Sequence, residues 1–255
     1  MATYKKRGGK PSTKTEKETS IEDGSTTAEV FNTLDESASR TEEWVIKNQK
    51  YIFIVVGFAA ILVLGFLGFD KFIQQPKESV ATNDMFQSQQ YFDQAVNGTS
   101  KDSLFTLALN GSDGKYGFLD IADVYSGTKA GNLSNYYAGM AYLNMKDYTN
   151  AVTYLNAFSS GDDVLGPIAK GGIGDAFVQL EQLEDAYDYY VQAAQLKSND
   201  YTTPMYLYKA GVIGLKLGNN SKALGFFNQI KSDFPQSMEA KDIDVFIGKA
   251  EAASN

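Results

Sequence analysis

The chain has 255 residues, a net charge of -8 and 43% apolar residues, with no histidine and no cysteine. Those absences exclude a Ser-His-Asp or Cys-His nucleophile pair, a thiolate zinc site, an imidazole base and any disulfide. Residues 51–255 carry fourteen basic and twenty-two acidic side chains, whereas a nucleic-acid backbone needs clustered Lys and Arg.

Along the chain, residues 1–28 are rich in Lys, Thr, Ser, Glu and Gly and poor in large apolar side chains, which predicts a disordered tail. Over 29–50, Val30, Phe31, Leu34, Ala38 and Val45 fall at helical spacing and predict a juxtamembrane amphipathic helix. The next stretch, YIFIVVGFAAILVLGFLGF, holds nineteen residues without a charge. As a helix it reaches about 28 Å, close to the hydrocarbon thickness of a bilayer. Trp44 and Tyr51 sit where interfacial aromatics belong, so 51–70 is expected to be a transmembrane helix. The run is too long and too far from the start for a cleaved signal peptide. The tail holds nine Lys/Arg, and only Lys71 and Lys77 lie close beyond the span. The positive-inside bias therefore puts the N-terminus in the cytoplasm and the large domain across the membrane.

Residues 71–130 are expected to form a linker helix at 78–96, a short segment at 104–109 and a helix at 117–125 that completes a degenerate first hairpin. From 131 to 255 a repeat emerges. In YYAGMAYLNMKDYTNAVTYLNAF, GGIGDAFVQLEQLEDAYDYYVQA and YKAGVIGLKLGNNSKALGFFNQI, a glycine precedes an alanine by twelve residues: Gly139 and Ala151, Gly174 and Ala186, Gly211 and Ala223. Leu155, Tyr190 and Phe227 follow four residues after each alanine. This is the pattern of tetratricopeptide (TPR) helical hairpins, in which small residues mark close helix crossings and large ones plug the gaps between hairpins. Pro167 and Pro204 fall in the first turn of a first helix, where no intrahelical N–H partner is lost. The fold expected is all-α: tail, one span, then an α-solenoid of TPR hairpins with a C-terminal capping helix at 237–253.

The stretch AKGGIGDAF could be taken for a phosphate-cradling loop, but such loops follow a strand and open a helix. Gly174 instead keeps helical register with Gly139 and Gly211, while Gly171 and Gly172 have no explanation in the repeat. The acidic groups Asp162-Asp163, Glu184-Asp185 with Asp188, and Asp242 with Asp244 read as solvated surface. Asn110-Gly-Ser-Asp-Gly resembles the start of a calcium loop, but its glycine is misplaced and no glutamate closes it. The expectation is a non-enzyme with no cofactor, no metal, no small-molecule substrate and no nucleic-acid partner.

Sixteen tyrosines mostly serve hairpin packing. A minority face the inner surface, which the first helices of the three units line. Counted from the repeat glycines, that surface comprises Leu133, Tyr136, Met140, Leu143 and Asn144, then Ile168, Asp175, Val178 and Gln179, then Met205, Tyr208, Val212, Leu215 and Lys216. It reads as a largely apolar groove for an extended or helical peptide. The candidate partner-binding set is Leu133, Tyr136, Met140, Leu143, Asp175, Val178, Met205, Tyr208, Val212 and Leu215.

The order of a polar tail, a charged-aromatic lead (EEWVIKNQKY), a single span and then SNYYAGMAYLNMKDYTNAVTYL with its repeats resembles the YfgM family of ancillary Sec translocon proteins. The resemblance covers roughly residues 40–250. It implies a bacterial inner-membrane protein with its repeats in the periplasm. Its partners would be the SecYEG translocon, a membrane-anchored chaperone of the peptidyl-prolyl isomerase type, and nascent exported chains. The alternative is a structural scaffold of another envelope complex, for outer-membrane assembly or cell division, without client contact.

Overall fold

The computed structural model describes residues 26–98 and 101–254, with side chains from Glu42 onward. The expected disordered tail thus lies almost wholly outside the described residues, as do the side chains of 29–41 in the expected amphipathic helix. The chain divides into two units, Met1–Phe69 and Asp70–Asn255. In the first, helix α1 (Thr26–Phe69) runs unbroken for 44 residues. No Pro or Gly stands between 26 and 56 to interrupt it. A helix long and apolar enough to cross a membrane is present, and no side chain of 51–69 is buried. That exposure separates it from a soluble core helix and is consistent with membrane anchoring.

The second unit opens with a π-helical turn (Asp70–Gln74). There follow α2 (Gln75–Asn97), α3 (Lys101–Asn110), α4 (Phe118–Val124), α5 (Lys129–Asn144), α6 (Tyr148–Ala157), α7 (Leu165–Gln179) and α8 (Leu183–Leu196). Then come α9 (Thr202–Lys216), α10 (Asn220–Asp233), a 3-10 turn (Glu239–Asp242) and α11 (Ile243–Ser254). Among the described residues the sole β feature is an isolated bridge between Ser112 and Lys115. From α5 to α11 each helix packs mainly on its neighbours in the chain, and α5, α7 and α9 also touch in succession.

The first hairpin differs from the expected one. Its members are α2 and α3, whereas α4 lies chiefly against α5. The reason is aromatic: Phe92 of α2 meets Phe105 of α3 edge-on at 5.5 Å and Tyr137 of α5 at 5.1 Å, and Phe118 of α4 stacks on Tyr137 at 5.0 Å. Phe105 and Phe118 are both fully buried there. At the end of α4 the Tyr125 hydroxyl donates to Asp84 of α2. That hydrogen bond, with burial behind it, pushes the phenol up to about 12.

Gly139, Gly174 and Gly211 all sit within the first helix of a hairpin and are buried. A Cβ on Gly139 would lie 2.5 Å from Leu155 Cγ, and one on Gly174 would lie 2.7 Å from the Tyr190 ring; one on Gly211 would overlap the Phe227 ring. Each repeat glycine therefore faces the large residue sixteen positions later in its own hairpin. The spacing predicted those large residues to plug the gap between hairpins; their first contact is instead within one. Ala151, Ala186 and Ala223 are fully buried beside them.

Gly171 and Gly172 find their explanation outside their own hairpin. A Cβ on Gly171 would overlap the Tyr206 ring of α9, and one on Gly172 would lie 3.1 Å from Leu155 of α6. Helix α7 is consequently bare on three sides, toward the hairpin before it, its own partner α8 and the hairpin after it. Close packing of this kind leaves no room for a methyl group.

Caps and turns repeat with the same period. The turns after α5, α7 and α9 place Lys146 (φ 65°), Glu181 (φ 60°) and Gly218 (φ 76°) in left-handed backbone. The N–H of Asp147, Gln182 and Asn219 then reaches back to the carbonyl of Tyr142, Phe177 and Gly214 at 2.9, 2.9 and 2.8 Å, closing a Schellman motif each time. The starts of α7 and α9 also match. Asp162 Oδ1 accepts from the N–H of Val164 and of Leu165, both at 2.8 Å. Asn199 Oδ1 accepts from the N–H of Tyr201 at 2.9 Å and of Thr202 at 2.7 Å. Asp162, read from sequence as solvated surface, is thus a helix cap as well as exposed.

Candidate functional site

The ten groove residues counted from the repeat glycines are all half-buried, neither core nor free surface. Leu133, Tyr136 and Met140 rest on the cluster around Leu155 and Phe158, while Val178, Met205, Tyr208, Val212 and Leu215 rest on the one around Tyr190 and Phe227. Their half-exposed faces follow from their place on α5, α7 and α9: one side packs on the second helices and the other is left open.

Leu143, Asp175 and Val178 come together. With Lys146, Tyr148, Gln179 and Tyr190 they line an open cleft of about 460 Å³ between the first and second repeat hairpins. The apolar lining is Leu143 and Val178; the Tyr148 hydroxyl donates to Gln179 Oε1 at 3.4 Å in an exposed bond. Asp175 is held rather than loose. Its Oδ1 accepts from the Tyr190 hydroxyl and, at 2.6 Å, from Lys209 Nζ of the next hairpin. The same ammonium lies 5.4 Å from the centre of the Tyr190 ring and 5.7 Å from that of Tyr206, within cation–π range. Burial first, and then the neighbouring Asp175 charge, push the Tyr190 and Tyr206 phenols up, so both stay protonated, and Tyr190 donates to Asp175.

Tyr208 goes elsewhere. It meets Phe246 of α11 edge-on at 4.9 Å and, with Met238, Glu239, Asp242 and Phe246, lines a separate hollow of about 260 Å³ at the C-terminal cap. Burial, followed by the Asp242 and Glu239 charges, raises its phenol. Tyr136 packs against Phe158 at 5.3 Å and is raised mainly by burial. Leu133, Tyr136, Met140, Met205, Val212 and Leu215 line neither hollow.

Sequence reasoning missed Lys146, Tyr148, Tyr190 and Lys209. Lys146 and Tyr148 belong to the turn and the second helix, so a count along first helices passes them by. The repeat pattern assigns Tyr190 to packing alone. Lys209 carried one signal, a cation one residue past Tyr208 on the first helix of the hairpin that follows the one bearing Asp175. Among the described residues no group of three or more His, Cys, Asp or Glu side chains is placed to hold a metal ion.

Residues 134–160 and 206–237 match the tetratricopeptide repeat family. They are the first and third repeat hairpins; the glycine-rich second one lies outside the matched residues. No curated protein matches the chain. The match supports a tetratricopeptide repeat protein, and such repeats indicate an adaptor for protein–protein interaction.

Proposed function

We propose that this protein is a membrane-anchored, non-enzymatic TPR adaptor that works at the Sec translocon of a bacterial inner membrane. In this reading α1 spans the bilayer with the N-terminus in the cytoplasm, and the hairpins form a solenoid in the periplasm. The repeat surface docks a peptidyl-prolyl isomerase-type chaperone, exported clients, or both. The observation that carries the reading is the cleft in which Leu143 and Val178 flank a carboxylate fixed by Tyr190 and Lys209. Two apolar walls and one oriented acceptor suit a peptide segment, because apolar contact supplies affinity and the held acceptor supplies register.

The test is site-specific photo-crosslinking in the full-length chain in its native membrane, with the photoreactive residue at Leu143 or Val178. Crosslinks to translocon subunits, a chaperone or export clients are expected. Val178→Asp should lower that yield about tenfold, a loss of roughly 1.4 kcal/mol. Crosslinks only to one fixed envelope subunit would replace this reading with the scaffold, and their absence from both positions would remove the cleft from consideration.

A further inference from the structure

We propose that the hollow at the C-terminal cap receives an arginine or lysine side chain of a bound polypeptide. The proposal rests on the reading that the repeat surface docks proteins, and it names the chemistry of one anchor. The hollow joins Tyr208 of α9, Met238, Glu239 and Asp242 around the 3-10 turn, and Phe246 of α11. Its volume of about 260 Å³ falls below the roughly 300–1,000 Å³ of small-molecule sites, so a single side chain is the occupant that fits. Tyr208 and Phe246 supply two rings 4.9 Å apart and 77° to each other. Met238, 76% exposed, lines the hollow while remaining open to solvent.

The carboxylates are placed by the fold. A 3-10 helix has three residues per turn, so Glu239 and Asp242 project from one side of it and Lys241 from another. The turn is held at both ends: Ser237 Oγ accepts from the N–H of Ala240 at 3.2 Å, and the Ile243 side chain is buried. Just beyond, Asp244 pairs with Lys231 of α10 at 2.7 Å. Among the described residues neither Glu239 nor Asp242 forms an ion pair with a lysine, and the hollow's lining holds no cation. Both charges are felt there, since they add to burial in raising the Tyr208 phenol. Lys249 Nζ lies 4.8 Å from the centre of the Phe246 ring, so this ring already attracts an ammonium. The imbalance is regional. Residues 231–254 carry five acidic side chains and three lysines, and the hollow next along the chain, lined by Phe234 and Ser237, sets Asp200 beside Asp233. Two rings and two uncompensated carboxylates call for a positive guest, and a guanidinium both stacks on rings and forks to a carboxylate.

The probes are short peptides of Gly, Ser, Ala and Leu that differ only at a central arginine, citrulline or glutamate. Each carries a fluorophore, and its anisotropy is followed as the full-length chain in mild detergent is added. Citrulline keeps the shape of arginine without its charge. The arginine peptide should bind about tenfold more tightly than the citrulline peptide, and the glutamate peptide should bind most weakly. Glu239→Gln combined with Asp242→Asn should abolish the preference for arginine and leave the citrulline affinity unchanged. Glu239→Lys should turn the order toward glutamate. Equal binding of arginine and citrulline overturns the proposal, and so does an arginine preference that survives the double substitution. Free N-acetylarginine amide competing as strongly as the peptide assigns the hollow to a small organic cation and also overturns it. If no peptide binds, the proposal falls, while crosslinking from Leu143 and Val178 still decides the docking reading by itself.

Discussion

Hairpins 165–196 and 202–233 share a register yet hold their neighbours differently. In both, a mid-helix glycine receives an aromatic ring from the partner helix, Tyr190 on Gly174 and Phe227 on Gly211. The earlier hairpin adds Gly171 and Gly172, which take Tyr206 from one side and Leu155 from the other. Their equivalents in the later hairpin are Tyr208 and Lys209, which project toward the C-terminal cap and Asp175. One hairpin receives side chains across its borders and the other sends them. The period of a repeat is thus set by contacts inside each unit, while the departures from the period mark how units grip each other.

The sharpest way to break this comparison is to add a methyl group. Gly171→Ala and Gly211→Ala should each destabilise the fold by about 3 kcal/mol, since a ring must shift in a packed core. Gly225→Ala, on an exposed helical face with nothing within 4 Å of the new atom, should instead stabilise by about 0.5–1 kcal/mol. Urea midpoints of the three variants measure the contrast. Tyr206→Ala should recover part of the loss in Gly171→Ala and none in Gly211→Ala.

The caps offer a smaller, pH-resolved contrast. Asn199→Ala should cost about 2 kcal/mol, because the side chain both accepts from two N–H groups and donates to Thr202 Oγ1 at 2.7 Å. Asp162 holds the equivalent place but titrates. The N–H groups of Leu165 and then Val164 hold its carboxyl below the usual carboxylate range. Its folded value is therefore depressed, so its stabilisation is complete above the ordinary aspartate value near 4 and is lost as pH falls through the depressed one. Thermal melts in acid should show a steeper fall for the native chain than for Asp162→Asn, and no such difference for Asn199→Ala.

The turns give the smallest effect. Glu181→Gly should raise stability by about 1 kcal/mol and Gly218→Ala should lower it by a similar amount, because only glycine enters left-handed backbone without strain. Calorimetric midpoints of the two variants moving in the same direction would break the equivalence of the two turns.

What could be read in advance follows from where each cause lies. Gly139, Gly174 and Gly211 were legible because their partners lie sixteen residues on in every unit, so the cause recurs with the effect. Gly171 was not, because Tyr206 belongs to another hairpin and its partnership occurs once. Lys146 and Glu181 hid the left-handed turn that Gly218 alone advertises. Within the candidate site, the apolar walls Leu143 and Val178 followed from helical counting. The clamp on Asp175 did not, since Tyr190 and Lys209 reach it from two different helices. The pairing of α2 with α3 rests likewise on rings scattered over four helices, which no local pattern displays.

The fit of the Tyr206 ring against the naked backbone of Gly171 makes these two positions a single locus divided between neighbours. Neither can drift alone: a bulkier 171 requires a slighter 206, and a slighter 206 leaves a hole that only a bulkier 171 refills. Heredity must therefore alter them as a couple, and a graft that swaps one hairpin for a foreign one has to carry across both halves of the fit.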